Sequence, residues 1–111
     1  MINPSMSQDP AARPLYCIAH ITVNDAAGYG QYEKGFSPIL NPYDARFLTF
    51  DEEVTALDGE RTKGRTVMIE FDSEEVLMAW RNSPEYFELA KLRQASVTTH
   101  SVSVVHSLPA R

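Results

Sequence analysis

The chain has 111 residues, of which 43% are apolar and 23% charged, values that are ordinary for one globular domain. Fifteen acidic against ten basic residues give a formal charge of −5, and no cluster of lysine or arginine offsets it, so we expect no nucleic-acid partner. No apolar run approaches the roughly 18–20 residues that span a bilayer. We therefore expect no membrane partner, and a cytoplasmic location is the default expectation.

The chain is predicted to hold a single domain between two short ends. Residues 1–14 contain three prolines and no periodic pattern, which predicts a flexible leader. The domain is predicted over residues 15–107, and residues 108–111 form a tail. The lone cysteine, Cys17, excludes an intrachain disulfide, and its apolar surroundings predict a buried, inert thiol rather than a nucleophile.

The first strand is predicted over Leu15–Val23, which is rich in β-branched and aromatic residues. Asn24 and Asp25 follow as candidate N-caps, because their short side chains can accept hydrogen bonds from the free amides of a first helical turn. Apolar residues then recur at intervals of three and four, as expected for one helix face: Tyr29, Tyr32, Phe36 and Leu40. Pro38 and Pro42 are predicted to end this helix.

Two further strands are predicted in the middle of the chain. Arg46–Phe50 is the second strand, and the acidic, polar connection after it contains Val54–Leu57, which could extend that strand. Thr66–Phe71 is the third strand.

The second helix is predicted to begin after Ser73, to break near Asn82 and then to restart. Ser83 suits the N-cap of the restarted helix and Pro84 suits its first position, so we interpret Ser83 as a cap and not as a catalytic nucleophile. The last strand is predicted over Thr98–His106.

This order of elements predicts a ferredoxin-like βαββαβ sandwich of the α+β class. Four antiparallel strands form one sheet, two helices cover one of its faces, and right-handed crossovers place the first and third strands at the centre.

The central strands carry apolar residues on both faces, which indicates that both faces are covered. Tyr16 and Ile18 lie on the face opposite to Leu15 and Cys17, and Met68 shares that face in the third strand. Because the chain has no further element to cover it, we predict a homodimer in which two sheets face each other around a semi-enclosed space. The alternative is a monomer with an exposed apolar patch.

His20 and Glu70 fall on this second face and are candidate catalytic residues, since an imidazole and a carboxylate that face one enclosed space can act as a general acid and base. Alternatively, Glu70 forms a structural ion pair. Its candidate partners are Arg46, Arg65 and Arg93. An antiparallel register places Tyr16, rather than His20, beside Glu70.

Trp80 and Tyr86 flank the break in the second helix and are candidates for an aromatic pocket wall, although such spacing is also typical of core residues. The candidate ligand-binding residues are His20, Arg46, Arg65, Glu70, Trp80, Tyr86 and Arg93. His100 and His106 could face the same space as His20, but no pair has the tight spacing of metal ligands, so we expect no metal and no cofactor.

Several short motifs occur in a characteristic order. They include His20–Asp25, Tyr29 and Tyr32, Arg65 before Ile69–Ser73, Ala79-Trp80, Ser83–Tyr86 and Leu92-Arg93. With these motifs the chain resembles the domain of unknown function 1330 family, from about Tyr16 to Val105. The resemblance implies a dimeric α/β-barrel and no assigned reaction.

Two positions depart from the family pattern. Tyr43-Asp44-Ala45 stands where the family usually has a Tyr-Gly-Gly turn, and Arg81 stands where an aromatic residue commonly follows the tryptophan. We expect the first change to reshape a turn and the second to alter the rim of a pocket.

The leading functional hypothesis is a small-molecule-binding protein, with its cavity between or beneath the paired sheets. One alternative is a non-catalytic dimeric accessory module. Another is a cofactor-independent enzyme resembling the monooxygenases or isomerases of the same superfamily, which is an analogy of fold. The sequence identifies neither the ligand nor a reaction.

Overall fold

The computed structural model describes residues 13–108, so most of the predicted leader and of the predicted tail lie outside the described residues. The domain consists of four strands, three helices and one 3-10 turn. In chain order these are β1 (Leu15–Val23), α1 (Ala26–Leu40), the 3-10 turn (Asn41–Tyr43), β2 (Arg46–Asp51), β3 (Arg65–Phe71), α2 (Glu74–Arg81), α3 (Pro84–Ser96) and β4 (Val97–His106). No helix within residues 13–108 is long and apolar enough to cross a membrane.

The sheet is antiparallel with the strand order β2-β3-β1-β4, which confirms the predicted central position of β1 and β3. Cys17 lies opposite Ile69 of β3 and Val104 of β4. The predicted α+β class and ferredoxin-like arrangement are therefore confirmed. The structure has three helices instead of two, because the predicted break divides the second helix into α2 and α3.

Side-chain caps start all three helices, as the sequence predicts. The Asp25 carboxylate accepts a hydrogen bond from the Gly28 N–H at 3.1 Å, and the Ser73 hydroxyl accepts one from Val76 at 3.2 Å. Ser83 accepts one from Tyr86 at 3.1 Å, which confirms its interpretation as a cap.

The irregular segments differ in three places from the expectations. Pro38 lies inside the last turn of α1 and does not end it, and residues 54–57 form no strand. Arg61 instead holds the connection between β2 and β3 by donating hydrogen bonds to the carbonyl oxygens of Glu52 and Val54. Asp44 adopts a left-handed conformation with φ 57°, which aspartate tolerates better than most residues, so the turn keeps the shape that glycine would favour.

One face of the sheet is covered by the helices and the other is open. On the covered face, alternate residues of β1 and β3 such as Leu15 and Phe71 are buried to 1% and 0% exposure. Tyr16, Ile18 and Met68 lie on the open face, where they are only half-buried within one protomer. The sheet is therefore apolar on both faces, as the sequence predicts.

Candidate functional site

A cavity of about 240 Å³ lies between the helices and the covered face of the sheet, within the single chain. Its wall is formed by aromatic and aliphatic side chains with a few polar groups. The seven aromatic residues are Tyr29, Tyr32, Phe36, Phe47, Phe50, Trp80 and Tyr86. Phe47 and Phe50 belong to the edge strand β2 and are 47% and 50% exposed, so the cavity reaches solvent along that edge.

Trp80 forms the inner part of this wall. Its ring lies 4.4 Å from that of Tyr86, 5.2 Å from that of Phe71 and 6.0 Å from that of Phe36, measured between centroids. Trp80 and Tyr86 are 2% and 4% exposed, so they belong to the core and line the cavity at the same time. Within residues 13–108 the buried indole N–H of Trp80 has no hydrogen-bond acceptor.

Two buried phenols meet beside this wall. The hydroxyl oxygens of Tyr32 and Tyr86 are 3.1 Å apart, within hydrogen-bonding distance. Burial, together with the neighbouring Tyr86, raises the pKa of Tyr32 far above its usual range. Tyr32 is therefore a neutral phenol at physiological pH, suited to hydrogen bonding and not to acting as a base.

Arg65 lies at the mouth of the cavity with its guanidinium 4.8 Å from the centre of the Phe50 ring. It forms ion pairs with Glu33 at 3.1 Å and with Glu52 at 2.8 Å. Burial acts to lower the pKa of Arg65, but its hydrogen bond to Glu52 and the charge of that carboxylate outweigh burial and raise it. The side chain thus joins α1, the β2–β3 connection and β3 around the opening.

Arg81 and Arg93 also line the cavity, from α2 and α3. The Arg81 guanidinium lies 5.8 Å from the centre of the Tyr86 ring, and Arg93 donates a hydrogen bond to the Thr99 hydroxyl at 3.1 Å. Burial raises the pKa of the Cys17 thiol, and the positive charges of the two arginines only partly offset this effect. Cys17 is therefore a protonated thiol in the cavity wall.

Glu70 lies on the open face of the sheet, away from this cavity. It forms an ion pair with Arg46 at 2.8 Å, and Arg46 also binds Asp72 at 2.8 Å. These two hydrogen-bonded carboxylates raise the pKa of Arg46. The predicted ion pair of Glu70 is thus present, with Arg46 as its partner, and Tyr16 lies opposite Glu70 as the register predicts.

His20 does not approach Glu70. It lies opposite Thr66, and its Nδ1 is 3.0 Å from the Thr66 hydroxyl oxygen. The two candidates are four positions apart along the paired strands, roughly 13 Å at the rise of a β-strand. His20 and Glu70 therefore make no direct contact within the described chain, as the antiparallel register predicts.

The three histidines do not converge. His20 and His100 line one pocket together, and His100 contacts the Thr22 hydroxyl at 2.7 Å. His106 instead contacts Glu74 at 3.1 Å and lies opposite Leu15, at the other end of β1. Among residues 13–108, no three His, Cys, Asp or Glu side chains lie together as metal ligands.

The predicted ligand-binding residues thus divide between the two faces of the sheet. The cavity brings together Arg65, Trp80, Tyr86 and Arg93, whereas His20, Arg46 and Glu70 lie on the open face. Of the two arginines, Arg46 shares the face of His20 and Glu70, whereas Arg65 does not, because β3 begins at Arg65 and alternation places it on the side of Val67 and Ile69.

Sequence reasoning missed part of the cavity lining. Phe36 and Glu33 lie on the same face of α1 as Tyr29 and Tyr32, so their helical spacing was an available signal. Arg81 was recognised as a departure from the family pattern but not as a candidate binding residue.

Solved structures with the same fold are numerous, but their sequences are distant. RPA0582, a protein of unknown function from Rhodopseudomonas palustris, is 14% identical with a TM-score of 0.69, and the match covers 90% of this chain and 85% of that one. SnoaB, a cofactor-independent oxygenase from Streptomyces nogalater, is 13% identical with a TM-score of 0.61 and coverages of 89% and 97%. A dimeric protein of unknown function and ferredoxin-like fold from Bacteroides fragilis is 13% identical with a TM-score of 0.53 and coverages of 85% and 94%.

A search of curated protein sequences finds no significant match. The sequence profile described as "Domain of unknown function (DUF1330)" matches residues 14–107, which is nearly the whole of the described domain. The chain therefore belongs to the DUF1330 family.

Proposed function

We propose that this protein is a homodimer that binds one compact, largely aromatic molecule in the helix-side cavity of each protomer. The observation that carries the proposal is the cavity itself, in which seven aromatic rings and a few polar groups surround about 240 Å³. Concave sites with mainly apolar walls and few convergent polar groups are the usual form of small-molecule sites. This volume is somewhat below the roughly 300–1,000 Å³ of sites for drug-sized ligands, which favours a small ring system.

The cavity also explains why its aromatic residues are not all packed against one another. Phe47 and Phe50 leave about half of their surface exposed although they belong to a domain with a well-formed core. A flat ring inserted between β2 and α1 would contact Phe36, Phe47 and Phe50 together. Such stacking is worth roughly 0.5–1.5 kcal/mol for each aromatic pair beyond the burial of area.

The single tryptophan of the chain makes this proposal directly testable, because Trp80 lines the cavity. Titration with neutral 2-naphthamide should give a saturable change in tryptophan emission and one binding event per protomer by calorimetry. Val102→Phe places a ring in the cavity wall and should weaken binding at least about tenfold, a loss of roughly 1.4 kcal/mol.

Val104→Phe is the matched control, since Val104 lies on the same strand and face as Val102 but does not line the cavity. His20→Ala and Glu70→Gln alter the open face and should also leave binding unchanged. Absence of saturable binding to the wild-type protein, or equal binding by both valine variants, would contradict the proposal.

The homodimer is supported by the open face of the sheet. Tyr16, Ile18 and Met68 are apolar residues that the chain's own helices do not cover, and soluble monomers rarely leave a broad apolar face exposed. The structural relative from Bacteroides fragilis is described as dimeric and has the same fold. Pairing through this face would bring the Arg46–Glu70 ion pairs of the two protomers toward one space, where they would set the register of the sheets.

Ile18→Asp should convert the dimer into a monomer in light scattering after size exclusion, because an unpaired carboxylate would be buried in the interface. Phe87→Asp is the control, since Phe87 is an exposed apolar residue on α3, outside the sheet. A wild-type protein that is monomeric at micromolar concentration contradicts the homodimer.

Two alternatives predict different results in the same experiments. A non-catalytic accessory module would dimerise without binding any aromatic probe. A cofactor-independent oxygenase, the activity named for SnoaB, would bind the probe and also consume oxygen with a susceptible substrate. We favour binding because the cavity supplies rings and hydrogen-bond donors, while His20 and Glu70, the acid and base candidates, lie outside it.

A further inference from the structure

The polar groups of the cavity have more hydrogen-bond donors than acceptors. The hydroxyls of Tyr32 and Tyr86 carry two protons, but the single hydrogen bond between them uses only one. Neither hydroxyl has another partner within residues 13–108, and both residues are at least 94% buried. One phenolic proton is therefore available to an acceptor that the described chain does not provide, and a buried donor without an acceptor is costly.

Two guanidinium groups add positive charge to the same cavity. Among residues 13–108, neither Arg81 nor Arg93 forms an ion pair with a carboxylate. Both arginines line the same cavity as the phenol pair, and the Arg81 guanidinium lies 5.8 Å from the centre of the Tyr86 ring. The Arg93 charge also acts to lower the pKa of Tyr32. Arginine is the residue best suited to bind carboxylate oxygens through paired N–H groups.

The one carboxylate in the cavity lining does not balance these donors. Glu33 is already held by Arg65 at the mouth, and Arg65 is further neutralised by Glu52. The inner polar groups are thus a spare phenol and two arginines without a carboxylate partner in the described part of the chain. A ligand that brings an electron-rich oxygen would accept hydrogen bonds from all of them.

From this arrangement we infer that the ligand is a compact aromatic anion whose negative charge is on oxygen, either a carboxylate or a deprotonated phenol or enol. Its anionic oxygen binds the Tyr32–Tyr86 pair together with Arg81 and Arg93, and its ring lies against Trp80 and the other aromatic side chains. The inference rests on the proposed function, since it specifies the chemistry of the molecule that fills the same cavity.

Two probes of matched shape test the charge preference: 2-naphthoate, which is anionic, and 2-naphthamide, which is neutral. The wild-type protein should bind 2-naphthoate at least about tenfold more tightly by calorimetry, because charge-assisted hydrogen bonds are stronger than neutral ones. Arg93→Gln should remove most of this preference by weakening 2-naphthoate while leaving 2-naphthamide within about twofold. Arg81→Gln should act in the same direction.

Lys91→Gln is the matched control, because Lys91 loses the same charge from the same helix but points to solvent and pairs with Glu88. It should leave the affinities of both probes unchanged. Equal binding of the two probes, or an equal loss in the lysine and arginine variants, overturns the inference while the proposed function stands. If neither probe binds the wild-type protein, the proposed function fails and the inference fails with it.

Discussion

Gly64→Ala should lower the free energy of unfolding by about 3 kcal/mol, one of the largest effects expected for a single added methyl group in this chain. Gly64 has a φ of +69°, which glycine adopts freely and alanine does not. A Cβ at this position would lie 2.1 Å from the carbonyl oxygen of Ile21 and 2.9 Å from the hydroxyl oxygen of Thr22. The backbone of β1 cannot yield as a flexible side chain would, because it is held between β3 and β4.

Gly59→Ala separates the two causes of this loss. Gly59 also has a positive φ, +75°, but a Cβ there would meet nothing within 4 Å. Its substitution should cost about 1 kcal/mol, the strain of a left-handed alanine alone. The difference between the two variants, measured by urea unfolding followed through Trp80 emission, gives the cost of the steric clash. Equal stabilities of the two variants would contradict the close approach of Gly64 to β1.

This close approach also positions a residue of the cavity. Arg65 follows Gly64 directly, pairs with Ile21 across the strands and extends its guanidinium to the cavity mouth. A shift of the chain at Gly64 would move Arg65 relative to its partners Glu33 and Glu52. We therefore expect the Gly64 variant to bind aromatic probes more weakly even under conditions in which it remains folded.

The fold was predictable because its signals are local. The β-branched and aromatic composition of Leu15–Val23 and the caps Asp25, Ser73 and Ser83 each depend on a few neighbouring residues, and each predicted element appears in the structure where the sequence places it. The irregular path of residues 54–57 was less predictable. Arg61 donates hydrogen bonds to the carbonyl oxygens of Glu52 and Val54, and no short-range sequence pattern reveals these contacts.

The site was predictable only in part, because it depends on which face of the sheet each side chain occupies. Alternation across β3 separates Arg65 from Glu70, and this separation follows from sequence once the strand is known to begin at Arg65. The cavity itself depends on how α1 packs against the edge strand β2, where the Phe36 ring lies 6.1 Å from that of Phe47. That distance is a property of tertiary packing, so the exposed rings of Phe47 and Phe50 could not be deduced from their strand alone.

Phe71→Ala should lower the free energy of unfolding by about 3–5 kcal/mol, the range expected for removing a buried phenylalanine. The Phe71 side chain is 0% exposed, lies opposite Leu15 at one end of the two central strands, and has its ring 5.2 Å from that of Trp80. A domain of this size is stable by about 5–15 kcal/mol, so the variant would lose a large share of its stability.

Phe87→Ala is the control, because it removes the same ring from a site on α3 that is 64% exposed, and it should change stability by less than about 0.5 kcal/mol. Both variants should be unfolded in urea at one fixed protein concentration, since the proposed dimer would make apparent stability depend on concentration. Trp80 emission should also shift in the folded Phe71 variant, because the cavity left by the ring lies beside the indole. If the free energy of unfolding of that variant fell by less than about 1 kcal/mol, Phe71 would not support the inner wall of the cavity. Other residues would then have to hold Trp80 in its position in that wall.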